Sequence, residues 1–272
     1  MPYFNFNEYK IYYEIIGQGE PFLVLNGIMM SVRSWDIFIE SWSEHNMVIR
    51  CDMLDQGLST KMTTQYTQDL QADMLSALLK YLKIKQVNVF GASYGGSVAL
   101  NLAIRYPNQV KRLALFNTVA KTNEWMFDIG RGWNLTGKTR NGEAYYKQTI
   151  PMIYSPKFYQ ERLDWMKKRE QLLTPIMSHP IFLDAMERLV ISAESHDFVQ
   201  RLSKVKAKTL VLGSEMDYLT PRHEQEILVK GIKDSSFIML PYVGHASILE
   251  VPFLFSSILL GFFNTKDTGF AI

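Results

Sequence analysis

The 272-residue chain predicts an α/β fold: a mostly parallel central sheet with helices on both faces, and a helical lid inserted after the sixth strand. Three observations carry this reading. Short runs that are apolar at nearly every position, such as FLVLN (22–26) and VNVFG (87–91), read as strands buried on both faces. They alternate with segments of helical period, as in DLQADMLSALLKYL (69–82), where Leu70, Met74, Ala77, Leu78 and Tyr81 share one spacing. Between about 121 and 200 the alternation stops, and Trp125, Trp133, Tyr145, Tyr146, Tyr154, Tyr159 and Trp165 gather with several methionines where no β-run occurs.

In chain order, YFNF and KIYYEII, split by Asn7 and Glu8, predict an opening antiparallel hairpin. FLVLN, MVIRCD (47–52), VNVFG, RLALFN (112–117), KTLVLG (208–213) and SFIMLP (236–241) follow as central strands. The core domain is therefore assigned to 1–120 and 201–272, and the lid to 121–200. Internal repeats, low-complexity tracts and long charge runs are absent from the sequence.

Lys and Arg number 29 against 27 Asp and Glu, so a formal charge of +2 gives none of the electrostatic footprint that nucleic acid or an anionic membrane requires. The lone cysteine, Cys51, forms no internal disulfide, suits a reducing compartment and reads as a small buried hydrophobe at a strand end. The opening MPYFNFNEYK lacks the basic flank and apolar core of a signal peptide, and no apolar run approaches the ~20 residues that span a bilayer. These features predict a cytoplasmic protein without membrane insertion; they leave the oligomeric state open.

The chemistry starts at GASYGG (91–96), which stands between VNVF and a helical run, SVALNLAIRY. A strand that turns abruptly into a helix strains the corner residue, and small neighbours two before and two after leave room for the bend. Gly91 and Gly95 hold those positions around Ser93. Such a nucleophile elbow lifts the serine hydroxyl clear of the sheet at the positive end of the next helix. A serine is a weak nucleophile near neutral pH and needs a base, which needs an acid to fix its tautomer. His45 and His223 sit in polar surroundings, His179 precedes Pro180 in the lid, and His196 lies in a polar helical stretch. His245 differs, because LPYVGHASILE places it in a loop after the last predicted strand. GSEMDYLTP, after KTLVLG, supplies Asp217. The order Ser93, Asp217, His245 is the one this architecture expects.

GASYGG, GSEMDYLTP and VGHAS together make nearly the whole chain resemble the α/β-hydrolase fold superfamily. CDMLDQGLS (51–59) also resembles that family's D-x-x-G-x-G-x-S turn, with Gly57 and Ser59 in matching positions and a departure at Asp55, where the pattern has its first glycine, and reads as a fold-specific loop. An oxyanion hole needs two backbone donors. They are Tyr94, which follows the nucleophile, and, by the resemblance, Ile28 in LNGIMMS, where Asn26 and Gly27 replace the family's usual His-Gly pair. The Asn-Gly pair is also similar to bacterial acyltransferases that move 3-hydroxyacyl chains.

The resemblance implies a serine hydrolase that cleaves a carboxylic ester, or a related acyl bond, of a small to medium apolar substrate, with no metal and no organic cofactor. An acyltransferase using the same serine, and a ligand-binding or signalling member of the fold, stay open beside it. Serine at the nucleophile position speaks against dehalogenases of this fold, which use aspartate there. Met29, Trp125, Trp133 and Met152 are the expected substrate contacts, since methionine and aromatic side chains suit an apolar acyl group. The mixed charges of the lid, such as Arg131, Lys138, Arg140, Glu143 and Asp128, read as a solvated face.

Overall fold

Strand positions follow the unbroken runs of apolar side chains, and both faces of the sheet are covered. The computed structural model describes residues 2–266; Met1 and 267–272, which the core-domain boundaries include, lie outside the described residues. The strands are β1 (Tyr3–Phe6), β2 (Tyr9–Ile16), β3 (Glu20–Leu25), β4 (Asn46–Cys51), β5 (Val87–Ala92), β6 (Val110–Phe116), β7 (Lys208–Ser214) and β8 (Ser235–Leu240). They form one eight-stranded sheet in the order β1-β2-β4-β3-β5-β6-β7-β8. The β1–β2 and β2–β4 pairs are antiparallel, and every other pair is parallel.

Side chains alternate between two cores. In β3, Leu23 and Leu25 join one cluster while Phe22 and Val24 join the other; in β6, Leu113 and Leu115 part from Ala114 and Phe116 in the same way. One face is aromatic, with Trp35, Phe38, Trp42, Phe90, Phe116 and Phe255 fully or almost fully buried. Phe38 stacks on Trp42 with ring centroids 4.9 Å apart, and Phe90 meets Phe116 and Phe255 edge-on at 5.2 and 5.5 Å.

The helices that cover the sheet are α1 (Ile39–Ser43), α2 (Gln68–Tyr81), α3 (Tyr94–Arg105), α9 (Arg222–Gly231), α10 (Ser247–Glu250) and α11 (Pro252–Asn264). Between β6 and β7 come five more: α4 (Glu124–Lys138), α5 (Gly142–Thr149), α6 (Pro156–Glu161), α7 (Leu163–Met177) and α8 (Pro180–Glu194). An isolated antiparallel bridge joins Lys121 to Asp197, so this helical run leaves the sheet and returns to it at one place. Among the described residues no helix is long and apolar enough to cross a membrane.

Parallel strands point their carboxyl ends to one edge, and α/β folds bind ligands in the crevice outside that edge. Asn26, Asp52, Ser93 and Asn117 each directly follow a strand here, and Asp217 and His245 lie a few residues beyond β7 and β8. The aromatic face anchors β5 from below. Phe90→Ala is expected to destabilise the fold by about 3–5 kcal/mol, read as a lowered urea midpoint with the circular dichroism spectrum kept.

Candidate active site

Ser93 stands at the junction of β5 and α3 with φ 53° and ψ −120°, a strained conformation for a residue with a Cβ. Backbone bonds hold it there: its N–H donates to the Phe116 carbonyl at 2.9 Å, and its own carbonyl accepts from Gly96 N, Ser97 N and Thr118 Oγ1 at 2.9, 3.1 and 2.8 Å. The glycines leave the room this needs. A Cβ on Gly91 would sit 2.2 Å from the Gly95 carbonyl oxygen, and one on Gly95 would sit 2.5 Å from that of Leu25.

Asp217 and His245 come together across 28 residues of sequence. The ring Nδ1 of His245 lies 2.8 Å from Asp217 Oδ2, with the carboxylate wholly buried and the imidazole almost so. Asp217 also accepts from Leu219 N at 2.8 Å, Thr220 N at 2.9 Å, Thr220 Oγ1 at 2.6 Å and Asn117 Nδ2 at 2.9 Å. Burial opposes its ionisation, but the neighbouring His245 and these donors outweigh it and hold the carboxyl down at about 2. With Nδ1 directed to this acceptor, Nε2 is the ring atom left to exchange a proton.

Ser93, Tyr94, His245, Ile28 and Met29 share the wall of one cavity of about 670 Å³. From the helices between β6 and β7 come Phe127, Trp133, Leu173, Met186 and Val190, which make most of the wall apolar. Trp125 and Met152 do not line it: Trp125 is exposed, with Nε1 donating to the Tyr218 carbonyl at 3.3 Å, and Met152 packs against the core. Asp217 stands behind His245, off the wall. The Ile28 N–H has no acceptor among the described residues, and Tyr94, as first residue of α3, has none within its helix.

Asn26 is an anchor. Fully buried, it donates from Nδ2 to the Cys51 carbonyl at 3.0 Å and to Gln56 Oε1 at 3.1 Å, and accepts from Trp35 Nε1 at 2.7 Å. Gln56 in turn donates to the Gly27 carbonyl at 3.0 Å, so the loop carrying Ile28 is pinned from below. Asp52 caps the same region by accepting from Val32 N and Leu58 N, each at 2.8 Å.

Asn117, Arg188 and Ser192, which the sequence motifs do not mark, also meet here. Asn117, with φ 48°, bonds Asp217 through Nδ2 and accepts from Ser247 Oγ at 3.0 Å through Oδ1. Asp55 lines the cavity and pairs with Arg188 of α8 at 2.7 Å, while the Tyr94 hydroxyl meets Ser192 Oγ at 2.8 Å. Among the described residues no group of three or more His, Cys, Asp or Glu is placed to hold a metal ion.

Comparisons with known proteins agree on the architecture. The family model for the α/β hydrolase fold matches residues 20–252. MGS-M2, an α/β hydrolase enzyme from a Medee basin deep-sea metagenome library, is 46% identical, with a TM-score of 0.98 over 100% of both chains. The RutD protein of Azorhizobium caulinodans, which bears the name of a carbamate hydrolase, is 24% identical over 98% of this chain and 100% of its own. The pimeloyl-[acyl-carrier protein] methyl ester esterase of Nitrosomonas europaea is 25% identical over 91% of this chain and 97% of its own.

Because the folded Asp217 carboxyl titrates below its ordinary value of 3.8, its stabilising contribution is complete above that pH and is lost as the pH falls through about 2. Asp217→Asn is expected to lower stability by on the order of 2 kcal/mol at neutral pH. Urea midpoints of the two proteins should converge as the pH is taken from about 4 towards 2.

Proposed function

The chain belongs to the α/β hydrolase fold family, and on that premise we propose that it is a serine hydrolase cleaving a carboxylic ester, or a related acyl bond, of a small to medium apolar substrate through an acyl-enzyme intermediate. One observation carries the reading: strained Ser93 shares a cavity with His245, whose ring is held 2.8 Å from a buried aspartate.

In this mechanism Ser93 Oγ attacks the acyl carbonyl while His245 Nε2 takes its proton. Asp217 keeps the ring in the required tautomer and stabilises its cation. The carbonyl oxygen becomes an oxyanion, bound by the backbone N–H groups of Ile28 and Tyr94, each worth about 3 kcal/mol in the transition state. Collapse expels the alcohol, which receives its proton from His245. Water then attacks the acyl carbon, giving a proton to the same nitrogen; the acid is released and Ser93 recovers its hydrogen.

The helices between β6 and β7 act as the lid in this account, and their apolar wall receives the acyl chain and keeps bulk water from it. Two contacts tie α8 to the site, Arg188 to Asp55 and Ser192 to Tyr94. The names of the two curated relatives support the bond class, since a carbamate and a methyl ester both join an acyl carbon to a heteroatom.

Ser93→Ala is expected to lower kcat on p-nitrophenyl esters, from acetate to decanoate, by at least about 10⁴-fold, with an unfolding midpoint no lower than that of the wild type. Equal turnover by wild type and variant across the series would sink the reading.

A further inference from the structure

We propose that Arg169 forms an anion subsite in the cavity wall, so that the preferred substrate carries an ionised carboxylate in addition to the acyl group that Ser93 attacks. This rests on the hydrolase reading and narrows its substrate class.

The charged groups on the wall differ in the partners they have. Asp55 is engaged by Arg188 at 2.7 Å and by Met62 N at 2.9 Å. Lys61 donates to the carbonyls of Gln56, Gly57 and Ser59 at 2.9, 2.7 and 2.9 Å. His245 is held by Asp217. Arg169, on α7, lines the cavity and makes no ion pair among the described residues, and its Nε is buried with no hydrogen-bond partner. The acids on the neighbouring segments are engaged elsewhere. Glu170 pairs with Lys147 at 2.7 Å, and Glu250 accepts from Ser155 N, Ser155 Oγ and Gly244 N at 2.7, 2.6 and 3.2 Å. Glu194, the remaining wall acid, closes α8 and makes no ion pair with Arg169.

The guanidinium lies over the Trp165 ring, 5.3 Å from its centroid. An aromatic face supports the cation there, the buried Tyr154 hydroxyl also faces it, and a guanidinium can grip a carboxylate with two parallel N–H groups. One further side-chain atom of the wall is buried without a partner, Trp133 Nε1. Both unpartnered atoms are obligate donors, so the group that completes this wall is an acceptor. An arginine that cannot lose its charge selects an anionic one.

The test uses the full chain carrying Ser93→Ala, which binds without turnover, and isothermal titration calorimetry with monomethyl adipate and its neutral counterpart, dimethyl adipate. The monoanion is expected to bind at least about tenfold more tightly at low salt, with the preference shrinking as NaCl is added. The added change Arg169→Gln should abolish that preference, and Arg169→Lys should keep part of it. Equal affinities, no detectable binding of the monoanion, or a preference that survives Arg169→Gln would overturn the subsite. Should Arg169→Gln fail to fold, the affinity ratio with Arg169 intact and the Arg169→Lys ratio decide the matter. Turnover by the chain with Ser93 restored is scored separately: binding preference without hydrolysis of either ester leaves the subsite standing and removes the hydrolase reading, and hydrolysis without the preference does the reverse.

Discussion

The bend between β5 and α3 is the constraint on which the rest of the site depends. Turning from a central strand into a helix within one residue brings the chain back on itself, and Ser93 takes a positive φ to make the corner. The close approach extends beyond the corner, because the carbonyl oxygens of Leu25 and Asn26 would lie 2.5 and 2.6 Å from any Cβ on Gly95. The glycine that permits the bend thus also sets how near the end of β3 can come. Ile28 follows two residues later, so a single packing requirement fixes both the serine and the loop proposed to face its oxyanion.

A buried polar frame holds the remaining loops to that corner. Asn26 bonds Gln56, Trp35 and Asp52 beneath the loop after β3 and donates to the Cys51 carbonyl, while Gln56 also accepts from Met53 N. Asn117 does the same between the last two loops, giving a hydrogen bond to Asp217 and taking one from Ser247, two residues past His245. Buried hydrogen bonds of this kind are directional, and leaving one unmade is costly, so they specify loop geometry more sharply than apolar packing does. The wall facing the serine has the opposite character. It is mostly apolar, and Arg169 brings to it a cation whose compensating charge a ligand would have to supply.

Much of the fold was legible in the sequence because its strands are buried on both faces and therefore read as unbroken apolar runs. The run MVIRCD (47–52), for example, falls on β4 (Asn46–Cys51), and the spacing over 69–82 falls on α2 (Gln68–Tyr81). Ser93, His245 and Asp217 were legible as candidates because strand-end loops leave local marks. Asn117, Arg188 and Arg169 leave no such mark, since each acquires its meaning from a partner or cavity that the chain assembles from distant segments. Trp125 was misplaced for a different reason. Aromatic content alone does not say which way a helix faces, whereas Met126, Ile129, Gly130 and Trp133 recur at helical spacing along the stripe of α4 that lines the cavity, and Trp125 falls beside that stripe. In the same way Ile150 and Ile153 reach the cavity from the turn around Met152, which packs inward.

The role proposed for Ser93 as a nucleophile rests on the geometry at the β5–α3 corner. The most direct measurement is the mass of the intact protein after exposure to a fluorophosphonate, followed by peptide mapping. One phosphonyl adduct is expected, on the peptide carrying Ser93 and lost in Asp217→Asn/His245→Ala protein. An unmodified protein, or an adduct on another residue, would contradict that role.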